Sequence, residues 1–117
     1  MDKIDGLEIC QFTGRGYKKV MEYKTWCMAF LTRDEEYTKN TYMERHMETD
    51  EVFVLLQGEA TLYIGENRTP VKMEPLKFYN VTEGTWHNIV CSEDASVLIT
   101  ENSGTNKSNT EYFTLSD

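Results

Sequence analysis

Short runs rich in Val, Ile, Thr, Tyr and Phe recur along the chain between turn signals, and no stretch keeps a helical period. That pattern confines the chain to an all-β sandwich or barrel. Strands are expected near residues 7–13, 17–22, 25–32, 41–47, 51–57, 60–64, 71–73, 77–81, 86–92 and 95–101, separated by Gly14 and Gly16, RDEEYTKN, Gly58-Glu59, GENRTP, Glu83-Gly84 and SED. With 117 residues, 39% hydrophobic and 27% charged, the chain reads as a single globular domain, 1–117, without repeats or linkers. The tail ENSGTNKSNTEYF is polar until Tyr112 and Phe113, so it is expected to run over the surface and dock by those two rings.

Alternation decides which side chains share a face. In TYMERHM, Tyr42, Glu44 and His46 point one way and Met43, Arg45 and Met47 the other. In EVFVLLQG, Glu51, Phe53, Leu55 and Gln57 form the inward set, yet the opposite set, Val52, Val54 and Leu56, is also apolar. A strand apolar on both faces needs cover outside. Either the N-terminal strands or a second subunit supplies it, and a homodimer is the expectation.

The net charge of −8 argues against a nucleic-acid partner, whose phosphates call for clustered Lys and Arg. It suits a cation. No run approaches the roughly 20 apolar residues of a membrane span, and MDKIDGLEIC carries no signal-peptide core, so no membrane partner and a cytoplasmic location are expected. Cys10, Cys27 and Cys91 are odd in number and lack C-x-x-C spacing. They read as free thiols, mostly packing residues, in a reducing compartment.

The chain has two histidines, one in HMETDEVFVLLQG and one in EGTWHNIVC. These stretches resemble the two motifs of the cupin superfamily: a histidine pair one residue apart followed by a glutamate and a glycine, then a glycine followed three residues later by a histidine. His46, Glu51 and Gly58 match the first, and Gly84 and His87 the second. Glu44 stands where the family has its first histidine, Thr38 where it has its opening glycine, Leu76 and Thr82 where the second motif has a glycine and a proline, and Cys91 in place of its final asparagine. The resemblance covers about 42–100 and implies a double-stranded β-helix, or jelly-roll barrel, with strands 7–32 and tail 102–117 packed around it.

The resemblance further implies a divalent metal held by Glu44, His46, Glu51 and His87. Glu44 and His46 share a strand face, Glu51 opens the next strand and His87 enters from another, so the four can converge on one ion and leave positions open. Two nitrogens and two oxygens make a harder set than three histidines and a glutamate, favouring manganese, iron(II) or nickel, with zinc remaining open. A glycine three residues before His87 suggests a positive-φ turn at Gly84 that sets the approach of the next strand.

Trp26, Tyr42 and Phe53 are the pocket candidates. Both histidines are taken as ligands, so none remains to activate a nucleophile, and acid–base work falls to a carboxylate or tyrosine, Glu44 first if it stands beside the metal instead of binding it. Two functions follow as expectations. One is a metal-dependent enzyme acting on a small polar metabolite, loosely similar to ureidoglycolate-handling and uncharacterised bacterial cupins. The other is a non-enzymatic cupin that binds or senses a small molecule.

Overall fold

The computed structural model describes residues 4–115. Ten strands follow one another: β1 (Gly16–Tyr23), β2 (Trp26–Thr32), β3 (Tyr42–His46), β4 (Glu51–Gln57), β5 (Ala60–Ile64), β6 (Thr69–Lys72), β7 (Phe78–Val81), β8 (His87–Cys91), β9 (Ser96–Asn102) and β10 (Thr110–Thr114). They form two five-stranded antiparallel sheets, ordered β1-β2-β9-β4-β7 and β10-β3-β8-β5-β6. From β3 onward the chain alternates between the sheets except at the β5–β6 hairpin, which is how a jelly roll closes around one core. Among the described residues no helix is long and apolar enough to cross a membrane.

Alternation builds the interior. On β2, Cys27, Ala29 and Leu31 are buried, and register extends them into rows across the sheet. Ala29 faces Ile99, which faces Phe53, which faces Tyr79; Leu31 faces Val97, which faces Leu55. Leu62, Ile89 and Cys91 close the core from the other sheet. Each large apolar side chain removed from water contributes roughly 1.5–3 kcal/mol, so these rows are what press the sheets together.

Two expectations are corrected at the ends of the chain. Residues 8–13 form no strand: they lie across the outer face of the first sheet, where no ladder partner is offered, and Phe12 packs on Phe30 with ring centroids 5.1 Å apart. The tail is more than a surface cover. TEYFT completes the second sheet as β10, with Thr110 opposite His46 and Tyr112 opposite Glu44. Its two rings dock on opposite faces, Phe113 edge-on to Trp86 at 4.7 Å and Tyr112 beside Tyr42 at 6.3 Å.

The outer face of the first sheet carries a continuous apolar row in which Phe30, Leu98, Val54 and Phe78 are successive cross-strand partners. Phe12 covers one end of it. The other end is open, with Phe78 79% exposed and Leu56 46% exposed.

Two turn glycines behave differently. Gly58, between β4 and β5, has φ +74°, and a Cβ there would lie 2.7 Å from the Ala95 backbone. Gly84 has φ +76°, but open space surrounds it and its N–H donates to the His46 carbonyl at 2.8 Å. A positive φ alone costs a residue with a Cβ roughly 1–2 kcal/mol. Gly84→Ala is therefore expected to lose about that much stability, and Gly58→Ala clearly more, because backbone must also move. Urea titration of both variants checks this, and equal losses would contradict the close approach at Gly58.

Candidate metal centre

Register brings five titratable side chains to one end of the barrel interior. In the first sheet, Cys27, Glu101, Glu51 and Val81 form one cross-strand row, so two carboxylates stand side by side on β9 and β4. In the second sheet, Tyr112, Glu44, His87 and Ile64 form a row, with His46 two residues beyond Glu44 on β3. The two rows face each other across the barrel. Glu51, His87, His46 and Glu101 are all buried.

The centre of the cluster is one oxygen. Nε2 of His46 and Nε2 of His87 each lie 3.0 Å from Oε1 of Glu51. The opposite ring nitrogens are also held, His87 Nδ1 3.0 Å from the Thr85 carbonyl and His46 Nδ1 2.9 Å from the Thr110 hydroxyl. A carbonyl only accepts, so His87 carries its proton on Nδ1, and a neutral His87 turns a lone pair toward Glu51. That lone pair against a carboxylate oxygen requires an extra proton on the His87 ring or a cation between the two, whereas the Thr110 hydroxyl can donate to His46 Nδ1 and leave His46 Nε2 as a donor to Glu51. Imidazoles fixed through Nδ1 by outer oxygens are what a metal site demands. The residues present fit a divalent ion.

Electrostatics follow the same geometry. Burial would raise the Glu51 carboxyl, but hydrogen bonds from His46 and His87 overcome it and hold it down at about 2. Burial opposes charging of the histidines, yet the Glu51 carboxylate raises both above their ordinary value. Glu44 lies 3.7 and 3.8 Å from the two imidazoles, beyond hydrogen-bonding distance, and burial pushes its carboxyl up.

The cluster floors a cavity of about 810 Å³. Tyr42 and Phe53 line it; the Tyr42 hydroxyl donates to Glu36 at 2.7 Å, and Phe53 meets His87 edge-on at 6.0 Å. Trp26 does not line it. On β2 the inward parity belongs to Cys27, Ala29 and Leu31, so Trp26 faces outward, 42% exposed beside Tyr23. Arg45 points away from the cavity, as alternation requires, and stacks over Trp86 at 4.5 Å.

Two residues of this site escaped the sequence reading. Glu101 lies on β9 in parity with buried Val97 and Ile99, and that alternation was the available signal. Tyr17, opposite inward Leu31 in the β1–β2 hairpin, donates its hydroxyl to Glu101 Oε1 at 2.6 Å. Burial, then the charge of Glu51, raises the Glu101 carboxyl to about 7. The Gly84 loop is tied down by Asp50, which accepts from the Glu83 N–H at 2.8 Å and from Asn80 at 3.1 Å.

No protein-family model matches the chain, and no curated protein matches it. Solved structures do. A variant of Streptomyces PAC13 with uridine aligns with TM-score 0.69 at 11% identity, covering 100% of this chain and 95% of that one. KdgF from Halomonas sp. gives TM-score 0.59 at 16% identity over 85% of this chain and 89% of that one. An RmlC-like cupin family protein with a double-stranded β-helix fold, from Methanocaldococcus jannaschii, gives 0.63 at 13% over 83% and 91%. The fold is thus the double-stranded β-helix that these proteins share, and the His/Glu cluster within it could hold a metal ion.

The buried groups set a pH dependence for the metal-free protein. Glu101, raised from 4.5 to about 7, contributes stability fully present below pH 4.5 and lost as pH rises through about 7. His46 and His87, both raised above 6.5, act in the same direction at higher pH, while Glu51 contributes above 4.5 and loses that as pH falls toward about 2. With chelator present, melting temperature is expected to peak in mildly acidic buffer and fall toward alkaline pH. Glu101→Gln should flatten the part of that fall between pH 4.5 and about 7. An unchanged slope in a pH series of melting scans would contradict the buried Glu101 carboxyl.

Proposed function

We propose that this protein is a metal-dependent enzyme acting on a small polar metabolite, with a divalent ion held by Glu44, His46, Glu51 and His87 at the floor of the barrel cavity. The convergence of both imidazole Nε2 atoms on Glu51 Oε1 carries this reading. Manganese, iron(II) or nickel suits the two nitrogens and two oxygens best. Such an ion supplies Lewis acidity toward a substrate oxygen.

The protein's own groups define the rest. Thr85 and Thr110 fix the histidine rings, and Asp50 holds the loop that carries Thr85. Glu44 is the most cavity-exposed carboxylate of the set, and where it stands beside the ion instead of ligating it, it is the residue to hold or move a proton at a bound substrate. Glu36, Glu44, Glu51 and Glu101 line the cavity against Lys107 alone among cations, which favours an uncharged, hydroxyl-bearing substrate over a strongly anionic one. Tyr42 and Tyr112 offer it hydroxyl partners. PAC13, a nucleoside dehydratase on the same fold, supports an enzyme over a passive binding module.

Binding to the folded state alone stabilises it by about 2.7 kcal/mol when free ion is a hundredfold above its dissociation constant, a rise of several degrees in melting temperature. Wild type should show that shift with at least one of manganese, iron(II), nickel and zinc. His46→Ala and His87→Ala should each abolish it, and Glu44→Ala should reduce it. A wild type without any metal-dependent shift, or with no metal after purification free of chelator, removes the ion from the site and leaves a small-molecule binding cavity.

We also infer a homodimer in a reducing compartment. The open end of the Phe30–Leu98–Val54–Phe78 row supports a second copy there, and a specific dimer covers on the order of 1,200–2,000 Å² in total. Light scattering should give twice 13.7 kDa, with Phe78→Glu shifting the protein toward monomer. A wild type that scatters as a monomer at micromolar concentration contradicts the dimer.

A further inference from the structure

Glu101 presents an unusual carboxylate. Its side chain is 8% exposed, it lines the cavity, and its Oε1 accepts from the Tyr17 hydroxyl at 2.6 Å. Its other oxygen, Oε2, is buried without a hydrogen-bond partner among the described residues. Leaving a buried acceptor unpaired costs about 1–3 kcal/mol, and more when it is charged, so such an atom calls for an explanation in terms of what it meets. Glu101 stands beside Glu51 in register, and a carboxylate oxygen of each lies within 4.8 Å of the other and of a ring nitrogen of His46. Two carboxylates set side by side in a buried row repel each other unless a cation or proton lies between them.

We propose that Glu101 is a further ligand of the divalent ion, presenting its free oxygen to it while Tyr17 holds the other. This rests on the metal reading above and extends it from a His2Glu2 set to one with a third carboxylate, next to Glu51 in the first sheet. A hydrogen bond to the outer oxygen of a ligating carboxylate orients it, which makes Tyr17 a positioning residue. In the same row Cys27 stands beside Glu101 and Val81 beside Glu51; the Cys27 thiol, a weak donor, makes no hydrogen bond to Oε2 and Val81 has none to give. The chemical consequence is selectivity. A third hard oxygen favours manganese(II) relative to zinc(II), which prefers four ligands richer in nitrogen or sulfur.

The test is calorimetric titration of the full chain with manganese(II) chloride and, separately, zinc(II) chloride, for wild type, Glu101→Gln and Tyr17→Phe, with the manganese EPR spectrum of each. Wild type should bind one manganese ion. Glu101→Gln should bind it about tenfold or more weakly, with a smaller loss for zinc and a changed EPR line shape. Tyr17→Phe keeps the carboxylate and removes its hydrogen bond, so a few-fold loss for manganese is expected; this variant also carries the test if Glu101→Gln fails to fold. Equal losses for both metals would assign Glu101 a structural role only and overturn the proposal. Manganese affinity and EPR spectrum unchanged in Glu101→Gln, or unchanged in Tyr17→Phe where the former does not fold, would overturn it as well while leaving the four-residue site intact. A wild type that binds none of the metals overturns both readings at once, and is distinguished by needing no variant.

Discussion

The Glu51 carboxylate, buried between two imidazoles, is the interaction on which this end of the barrel depends. A charge taken fully out of water costs several kcal/mol even after the protein relaxes, and a carboxylate at the start of an inward-facing strand has no solvent to turn to. Its partners come from the other sheet, His46 at the end of β3 and His87 at the start of β8. The charge can be accommodated only if the two sheets face each other in this register. Apolar rows supply the free energy that closes the barrel, but they tolerate sliding and repacking; the Glu51 triad does not.

That dependence explains the arrangement around it. β3 and β8 meet at a single paired position, Glu44 opposite His87, so the strands carrying the two histidines are joined less by their own ladder than by what lies beside them. The Gly84 N–H bonds the His46 carbonyl, Asp50 caps the same loop, and Asn88 donates its amide to the Tyr42 carbonyl at 2.7 Å. Each of these links ties β8 to the β3–β4 segment. The polar residues that bracket the histidines are thus scaffolding for ring orientation, and Gly84 marks where the backbone turns sharply beside them.

How far the sequence disclosed this depended on parity. Where a strand alternates cleanly, as in TYMERHM, the inward set Tyr42, Glu44 and His46 was legible, and the same rule placed Phe53 beside Glu51. Trp26 was misplaced because WCMAFLT is apolar on both faces, so hydrophobicity could not say which parity was inward; only the register with β9 settles it for Cys27, Ala29 and Leu31. Glu101 was overlooked for a related reason. It lies near the polar end of β9, where SVLITEN passes into ENSGTN, and a carboxylate there reads as surface unless the strand is followed two residues further. The segment 8–13 has strand-like composition but lies over a sheet face, and no local pattern distinguishes those placements. β10 had the opposite fault, its TEYFT preceded by so long a polar stretch that the whole tail read as cover.

The C-terminal strand shows why that last difference matters for function. Thr110 orients His46, Tyr112 lies opposite Glu44, and Thr105 and Lys107 in the turn before β10 line the cavity. The turn itself is hydrogen-bonded throughout: Asn106 and Asn109 cap each other's backbone, and the Met47 N–H bonds the Asn109 carbonyl at 2.8 Å. One face of this strand therefore belongs to the buried cluster and the other packs Phe113 on Trp86, whose ring also stacks under Arg45. A change in the outer packing of Phe113 would move Thr110 and with it the His46 ring, because both side chains ride on a strand only five residues long. The last strand couples the outside of the barrel to the orientation of a buried imidazole, which no reading of the two motif stretches alone would disclose.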